Sequence, residues 1–323
     1  ISGKLSEQYD IFFLSHSFSN KFDKEIKRIG IKKILIPSKR AIFGLTRLVK
    51  AYKEIKPDLI FSLQTHANII SLLLNMFFFR NKLKVICCER ISIKRYEWNL
   101  KGRLIILLAK LIYRYSKLVI CNSKELSREF KALSKNLKVV HIYNPTLNSN
   151  FNLLSKKFKI KTEPFLKKKK PILFSLGRLD YNKNNIMLLR AYNEIKDKIR
   201  CNIVLMGDGN EKKLLLDYAK ENNFKKDLFI LSFQKNPYPY LLKSDILILT
   251  SRTEGLPNVL IEGLALKKFV ISTKCPTGPK EILLNGKAGF LVNNDDYEDL
   301  ANKIRIYFQK PELEKKKKKY IKK

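Results

Sequence analysis

The segment Ser251-Arg-Thr-Glu-Gly-Leu-Pro-Asn-Val-Leu-Ile-Glu262 is the part of the sequence that says most about the fold. It follows the apolar run from Ile246 to Thr250, which is typical of a buried strand, and it continues into a pattern typical of a helix. Gly255 permits a tight turn between the two. Pro257 suits the first position of a helix, where a missing N–H breaks no hydrogen bond. The segment is therefore predicted to be a strand end, a tight loop and a helix.

The beginning of this predicted helix has the properties of an anion-binding site. The N–H groups of residues 258–260 have no partner within a helix that starts at Pro257, and the helix dipole attracts negative charge to them. Glu254 lies in the loop, and Glu262 lies about 12 Å further along the axis if the whole segment is helical. The two carboxylates of a glycosidase flank one bond at about 5–9.5 Å. The spacing here favours an extended ligand with a phosphate between the glutamates, and the alternative is two glutamates without a ligand.

A second segment, Gly177-Arg-Leu-Asp-Tyr-Asn-Lys183, follows another predicted strand, Ile172–Leu176. Arg178 and Lys183 are expected at the carboxyl end of that strand, at the same edge of the sheet as Glu254. An arginine and a lysine that converge on a diphosphate would stabilise the negative charge that develops on it as a glycosidic bond breaks. Either cation alone would be interpreted as an ordinary surface residue.

Strand and helix patterns alternate through both halves of the chain, from Tyr9 to Ile142 and again from Ile172 to Ile271. This alternation predicts βαβ units and parallel sheets. The polar, lysine-rich residues 148–170 are predicted to link an N-terminal domain (1–147) to a C-terminal domain (171–310), which a lysine-rich tail (311–323) follows. Two such domains place a ligand cleft between them, at the carboxyl ends of the strands.

The composition indicates which kinds of partner and which cellular compartment to expect. The chain has 66 Lys+Arg against 29 Asp+Glu, a formal net charge of +37. Such an excess favours anionic partners, among them nucleic acid, acidic membrane surfaces and phosphorylated ligands. The cations are spread along the whole chain, so a compositional bias without a function is an equal alternative. The five cysteines include no Cys-x-x-Cys pair, which argues against disulfides or a zinc site and favours a reducing cytoplasm.

Taken together, these motifs resemble the donor-binding domain of retaining GT-B glycosyltransferases of family GT4. The resemblance covers Ile172 to Val292 and rests on Gly177-Arg178-Leu179 with Lys183, Gly207-Asp208-Gly209, Glu254-Gly255-Leu256-Pro257 with Glu262, and Cys275-Pro-Thr-Gly-Pro-Lys-Glu281. It implies the GT-B fold, an α/β architecture in which two Rossmann-like parallel-sheet domains face a cleft. Chains of that family open with a strand and a glycine-rich loop. This sequence starts at Ile1 where the first helix would end, so the first β-α unit is expected to be missing.

The resemblance also implies a role for each matching residue. Arg178, Lys183 and Glu254 are expected to be catalytic, because the two cations bind the donor diphosphate and Glu254 lies near the transferred sugar. Glu262 is expected to bind the ribose hydroxyls. The remaining donor-binding residues surround the sugar and the phosphates: Gly177, Gly255, Leu256, Pro257, Asn258 and Val259. The chain has no Asp-x-Asp motif, so no metal and no cofactor is expected, since Arg178 and Lys183 take the place of the metal.

The first half resembles the acceptor domain of the family more loosely. Arg90 follows a predicted strand, Lys84–Cys88, and is interpreted as a contact for the acceptor or a phosphate, or alternatively as a salt bridge at a helix start. His66 heads a predicted helix after another strand. It is interpreted as a residue that lines the cleft or, alternatively, as a structural one.

The resemblance implies a cytoplasmic enzyme that transfers a hexose or N-acetylhexosamine, with retention, from a nucleotide-diphosphate sugar to a glycan or lipid-linked acceptor. The expected donor is UDP-linked, and the expected process is the assembly of polysaccharide or lipopolysaccharide. Two alternatives stay open: a basic nucleic-acid-binding protein, and an inactive, glycan-binding member of the same fold. Nucleic acid is not expected as a partner, because the lysines are dispersed and no motif with aromatics placed for stacking is present.

Two apolar segments, residues 68–80 and 103–114, adjoin cations and are too short to span a bilayer. They are interpreted as buried helices of the first domain. The alternative is that part of their surface rests on an anionic leaflet, which would make the protein peripheral on the inner face of the cytoplasmic membrane.

Overall fold

Twelve strands, paired in parallel in three sheets, organise the part of the chain that the structure describes. The structure is a computed structural model. It describes residues 7–15, 23–36, 44–97, 99–147, 151, 154, 164–167, 170–310, 312–313 and 319–322. Helices connect most of the strands, so the predicted α/β architecture with parallel sheets in both halves is confirmed.

The first half contains two of the sheets. Its strands are β1 (Phe12–Ser15), β2 (Lys32–Leu35), β3 (Leu59–Leu63), β4 (Lys84–Glu89), β5 (Leu118–Cys121) and β6 (Val139–His141). Its helices are α1 (Asp23–Arg28), α2 (Leu45–Ile55), α3 (Thr65–Phe79), α4 (Leu100–Ile112) and α5 (Lys124–Lys131). β1 pairs with β2, and the other strands form a separate sheet in the order β3-β4-β5-β6. One face of this second sheet packs into the core, and the other face exposes Leu59, Phe61 and Leu63 of β3.

The second half contains one six-stranded sheet. Its strands are β7 (Ile172–Leu176), β8 (Asn202–Met206), β9 (Leu228–Leu231), β10 (Ile246–Leu249), β11 (Phe269–Thr273) and β12 (Phe290–Val292). Its helices are α6 (Pro164–Lys167), α7 (Asn185–Asn193), α8 (Lys212–Glu221), α9 (Tyr238–Lys243), α10 (Asn258–Ala265), α11 (Pro279–Ile282) and α12 (Tyr297–Gln309). The strand order is β12-β11-β10-β7-β8-β9.

Both faces of the six-stranded sheet are buried, which explains why its strands read as continuous apolar runs. Successive side chains of a strand point to opposite faces. In β10, Ile246 and Ile248 join one hydrophobic core, while Leu247 and Leu249 join a second core on the other face. A sheet that is covered on both sides needs apolar residues at every position.

The strand order reverses between β7 and β10, which are neighbours in the sheet. From β7 the chain proceeds outward through β8 and β9, and it then returns to β10 and proceeds the other way through β11 and β12. At such a switch point the connecting loops leave in opposite directions, so a crevice opens at the carboxyl ends of the two strands. The loops after β7 and β10 contain the two segments that the sequence singles out.

Three elements after β11 were not predicted: α11, β12 and α12. β12 has only three residues, and α12 begins five residues after it ends. Asp296 caps α12, because its carboxylate accepts a hydrogen bond of 2.9 Å from the Asp299 N–H. Of the predicted lysine-rich tail, residues 311, 314–318 and 323 lie outside the described residues.

The described parts of the predicted linker pack against the second half. Phe151 is buried and its ring contacts that of Tyr238 at 4.7 Å between centroids. Phe165 of α6 is buried in one of the two cores of the six-stranded sheet, and its carbonyl oxygen accepts from Asn202 Nδ2 at 2.8 Å. The other linker residues, apart from 154, 164–167 and 170, lie outside the described part of the chain.

A buried carboxylate lies at the end of β4. Glu89 is 2% exposed and accepts hydrogen bonds from Thr65 Oγ1 at 3.0 Å, from Asn68 Nδ2 at 2.7 Å and from the Tyr113 hydroxyl. Burial raises the pKa of Glu89 to about 7, although the three donors favour the charged form. The carboxyl joins the start of α3 to the end of α4 and to β4.

The raised pKa of Glu89 predicts a pH dependence of stability. Its stabilising contribution is full below the ordinary pKa of 4.5 and is lost as the pH rises through about 7, because the folded state disfavours the charged form. Relative to Glu89→Gln, the free energy of unfolding of the wild type should fall by about 3 kcal/mol over this range. Urea denaturation of both proteins across this pH range measures the difference, and parallel profiles would contradict the prediction.

Candidate active site

The loops that follow β7 and β10 are joined side by side at the switch point. The Thr250 hydroxyl donates to the Lys183 carbonyl oxygen at 2.9 Å, and the Arg252 N–H donates to the Asn182 carbonyl oxygen at 2.8 Å. The Asn182 side chain donates in turn to the Thr253 carbonyl oxygen at 3.0 Å. These bonds hold the two predicted segments in one fixed arrangement.

The Gly207-Asp208-Gly209 motif packs against the loop after β7. A Cβ at Gly207 would lie 1.9 Å from the Gly177 carbonyl oxygen, and one at Gly209 would lie 2.0 Å from the Leu179 carbonyl oxygen. The Leu179 N–H donates to the Asp208 carbonyl oxygen at 3.0 Å. Only glycine permits backbone to approach backbone this closely, so the motif seats the loop after β7.

Lys183 and Glu254 form the ion pair of the site. Lys183 Nζ lies 2.5 Å from Glu254 Oε1, and the two side chains are 21% and 13% exposed. The Lys183 side chain passes over Gly177, where a Cβ would lie 3.3 Å from Lys183 Cε. An ammonium group has three donors, so Lys183 retains the capacity to bind a second oxygen ligand.

Arg178 lies in the same loop but does not meet Lys183. Its side chain is 73% exposed and forms an ion pair of 3.0 Å with Asp180. The sequence predicts that both cations converge on one anion. The structure brings them to the same strand end, where each contacts its own carboxylate. Asp180 lies only two residues from Arg178 in the chain, so this pair forms within the loop. Glu254 is distant in sequence, and the fold brings it next to Lys183.

Helix α10 begins one residue later than predicted. Pro257 has φ −71° and ψ 102°, so it precedes the helix, and Asn258 is the first helical residue. The Leu260 N–H donates to the Pro257 carbonyl oxygen at 3.1 Å. The prediction that the Leu260 N–H faces a ligand is therefore wrong, and the orphan donors of this helix start are those of Asn258 and Val259.

Glu262 lies on α10 beyond its first turn, as predicted. Its carboxylate is partly buried and accepts a long hydrogen bond of 3.4 Å from the Tyr238 hydroxyl. Burial raises the pKa of Glu262, while the Tyr238 hydroxyl lowers it. Glu254 and Glu262 therefore flank the start of α10, one paired with a cation and the other held by a neutral donor.

Of the two acceptor-side candidates, His66 has a side-chain partner. The Tyr96 hydroxyl lies 3.0 Å from His66 Nδ1, and the rings meet edge to face at 5.2 Å. Burial and the charge of Arg95 lower the pKa of His66, so the neutral imidazole is favoured. Arg90 has an exposed side chain. Its backbone instead meets the loop after β10, because a Cβ at Gly255 would lie 1.8 Å from the Arg90 carbonyl oxygen.

The first half of the chain therefore reaches the loop after β10 through its backbone. Ile91 and Gly255 form an isolated antiparallel bridge, and the Ser92 N–H donates to the Glu254 carbonyl oxygen at 3.2 Å. Leu256, which follows, is buried. Sequence patterns carry no signal for this contact, because it joins residues that are far apart in the chain.

The start of α10 is also contacted from the first half. Asn144 Nδ2 and Thr146 Oγ1 donate to Asn258 Oδ1 at 3.0 and 3.1 Å. Among the described residues, no group of three or more His, Cys, Asp or Glu side chains is arranged to hold a metal ion.

Two parallel-sheet domains whose loops meet at such a site define the GT-B class of glycosyltransferases, and solved structures share this fold. The structure of Anabaena Alr3699/HepE in complex with UDP and glucose matches with a TM-score of 0.74 at 17% identity. The match covers 97% of this chain and 94% of that chain. At this identity the likeness concerns the fold alone.

The chain belongs to the family of glycosyl transferases group 1, whose model matches residues 156–323. It is 31% identical over 253 residues to an uncharacterized glycosyltransferase of Methanocaldococcus jannaschii, covering 73% of this chain and 60% of that relative's length. It is 29% identical over 270 residues to a Campylobacter jejuni enzyme, covering 82% of this chain and 71% of the enzyme. That enzyme is N-acetylgalactosamine-N,N'-diacetylbacillosaminyl-diphospho-undecaprenol 4-alpha-N-acetylgalactosaminyltransferase.

Proposed function

We propose that the chain transfers a hexose or N-acetylhexosamine from a UDP-linked donor to a glycan or lipid-linked acceptor, with retention of configuration and without a metal ion. The observation that carries this proposal is the Lys183–Glu254 ion pair at the switch point, beside the start of α10. The names of two similar proteins support the substrates: one transfers N-acetylgalactosamine to a diphospho-undecaprenol-linked sugar, and one was solved with UDP and glucose.

The donor diphosphate would bind between the loop after β7 and the start of α10. Lys183 and the exposed Arg178 supply positive charge from one side, and the N–H groups of Asn258 and Val259 supply it from the other. Gly177 leaves room for the Lys183 side chain that lies over it, and Gly255 leaves room for the Arg90 carbonyl oxygen. These groups would neutralise a diphosphate without a metal.

The reaction would then run on the donor's own phosphate. The bond between the anomeric carbon and the diphosphate oxygen breaks, and the acceptor oxygen bonds to the same face of the sugar. The acceptor proton passes to the leaving diphosphate oxygen. Lys183 and Arg178 stabilise the negative charge that develops on the diphosphate. They therefore bind the transition state more strongly than the bound donor, which raises the rate. Glu254 orients the sugar.

Replacement of Glu262 tests the donor-binding half of the proposal. Glu262→Ala should weaken the binding of UDP about tenfold to hundredfold, because a hydrogen bond to a charged group contributes about 1.5–3 kcal/mol. Calorimetric titration with UDP measures the loss. Glu221→Ala, at the exposed end of α8, is the matched control and should bind UDP like the wild type. Equal affinity in both variants would remove Glu262 from the site.

Replacement of the two cations tests the reaction itself. Mass spectrometry should detect sugar transfer from a panel of nucleotide sugars, with UDP-sugars preferred and with EDTA without effect. Lys183→Ala and Arg178→Ala should each lower kcat by about 10²–10³, and the double variant by less than the product, since both act on one diphosphate. The surface variant Arg190→Ala should retain kcat.

Three outcomes would contradict the proposal for the reaction. Donor binding without turnover would favour an inactive glycan-binding protein. Tight, steeply salt-dependent binding of DNA without sugar transfer would favour a nucleic-acid-binding protein. Loss of transfer in EDTA, restored by a divalent cation, would exclude a metal-independent reaction.

A surface on α4 supports a lipid-linked acceptor. Leu100, Leu104, Leu107 and Leu111 are each more than half exposed. At 100° per residue they lie on one face of the helix. The cations Lys101, Arg103 and Lys110 flank this leucine stripe and are also exposed. The opposite side of α4 packs into the core through Ala109 and Ile112, so the interpretation of residues 103–114 as a nearly all-round buried helix is wrong.

The leucine stripe would rest on an anionic leaflet, with the protein peripheral on the cytoplasmic face of the membrane. In the described part of the chain, no helix combines the length and the apolar character that a membrane span requires. All five cysteines are free thiols, which suits a reducing compartment. Each lysine or arginine near an anionic surface contributes roughly 1 kcal/mol, and the leucines add apolar contact.

Co-sedimentation with liposomes tests this placement. The wild type should bind phosphatidylcholine vesicles that contain phosphatidylglycerol, and bind less at high salt or without the anionic lipid. The double variant Leu104→Ser, Leu107→Ser should bind at least about tenfold more weakly, since two partly exposed leucines lose their apolar contact. Leu214→Ser, a comparably exposed leucine of α8, should bind like the wild type. Binding that ignores lipid charge, or equal losses in both variants, would contradict the placement.

A further inference from the structure

Helix α5 of the first half carries two glutamates that the sequence motifs do not single out. Glu125 and Glu129 are four residues apart, so they lie on the same face of the helix, one turn from each other. Ser123 caps the helix, because its hydroxyl accepts from the Leu126 N–H at 3.1 Å. Both carboxylates reach backbone donors that belong to the surroundings of the loop after β10.

Glu125 holds a segment of the second half. Its carboxylate accepts from the Gly278 N–H at 2.7 Å, across the boundary between the two halves. Gly278 has φ +94°, and a Cβ there would lie 2.6 Å from the Gly255 carbonyl oxygen. The neighbouring Thr277 hydroxyl donates to the Glu254 carbonyl oxygen at 2.5 Å. Glu125 thus fixes the segment that packs directly under the loop after β10.

Glu129 holds a segment of the first half. Its carboxylate accepts from the Ser92 hydroxyl at 2.8 Å and from the Ile93 N–H at 2.6 Å. The Ser92 N–H in turn donates to the Glu254 carbonyl oxygen at 3.2 Å. Glu129 therefore fixes the segment that packs on the loop from the opposite direction.

The two chains of contacts end on the same atom. The carbonyl oxygen of Glu254 accepts from Thr277 and from Ser92, which uses both of its lone pairs. The side chain of the same residue binds Lys183. A shift of either segment would rotate the peptide of Glu254 and move its carboxylate.

The start of α5 is itself held by the second half of the chain. Glu281 of α11 accepts from the N–H groups of Lys124 and Glu125, both at 3.2 Å, and from the Tyr143 hydroxyl. The first half thus donates two backbone N–H groups to a glutamate of the second, and the second half donates one, that of Gly278, to a glutamate of the first. This reciprocal contact makes α5 a rigid reference for the loop after β10.

We propose that Glu125 and Glu129 are positioning residues for glycosyl transfer: from the first half of the chain, they set the backbone of Glu254 so that its carboxylate faces the donor sugar. The inference rests on the proposed function, because that function assigns Glu254 to the transferred sugar. It predicts that the two glutamates affect the rate of transfer and leave the binding of the nucleotide unchanged, since the nucleotide contacts lie on α10 and the loop after β7.

Steady-state kinetics and UDP titration of matched variants test the positioning role. Glu125→Ala and Glu129→Ala should each lower kcat about tenfold to hundredfold, the loss expected when a catalytic group is displaced by about 1 Å. The affinity for UDP should stay within about twofold. Glu125→Gln and Glu129→Gln keep an oxygen acceptor for the backbone N–H and should restore kcat to within a few-fold. Glu54→Ala, an exposed glutamate on α2, is the control and should match the wild type.

Hydrogen exchange measures the same effect without turnover. Peptides that cover residues 251–256, ahead of α10, should exchange faster in the alanine variants than in the wild type, and the glutamine variants should restore protection. Thr277→Val, which keeps its shape and loses one donor to Glu254, should change exchange in the same direction, and it serves if an alanine variant fails to fold. Unchanged exchange in Thr277→Val or in a folded alanine variant, or a loss of UDP affinity that parallels the loss of kcat, would overturn the proposal. A wild type that transfers no sugar would overturn the proposed function, while the exchange data would still decide whether α5 holds the loop.

Discussion

The ion pair between Lys183 and Glu254 is the interaction around which the site is built. It joins the loops on the two sides of the switch point, and its residues are 71 positions apart in the chain. Two partly buried charges lose hydration, and their attraction offsets this loss only if the geometry is good and the neighbouring groups are hydrogen-bonded. Thr250 and Asn182 supply those neighbouring bonds. The loops are therefore held in place before any ligand binds, and Lys183 keeps donors for an anion.

Close approach of backbone to backbone is the second constraint. Gly207 and Gly255 lie where any side chain would collide with a carbonyl oxygen of another loop. Because the halves of the chain meet through backbone at Gly255, the contact uses the carbonyl oxygen of Arg90 and leaves its side chain exposed. Glycine costs conformational entropy on folding, and here it permits a contact that no other residue allows.

The carboxylates that organise the first half are held mainly by neutral donors, although lysine is abundant in this chain. Glu89 accepts from a hydroxyl, an amide and a phenol, and Glu129 accepts from a hydroxyl and a backbone N–H. Neutral donors that are fixed to helices and strands have a set direction, whereas a lysine ammonium lies at the end of a flexible stem. The positions of these two carboxylates are therefore fixed more narrowly than an ion pair on the surface would fix them.

The sequence by itself determined the strand–loop–helix units and the residues they carry. Ile172–Leu176 with Lys183, and Ile246–Leu249 with Glu254 and Glu262, are contiguous, so their periodicity and spacing are visible in the chain. Only the tertiary structure decided that Lys183 pairs with Glu254 while Arg178 turns to Asp180. It also decided that α10 starts at Asn258, that the leucines of α4 face outward, and that α5 holds the loop after β10. These features depend on contacts between residues that are distant in sequence, and such contacts arise from the packing of whole elements, which no local pattern records.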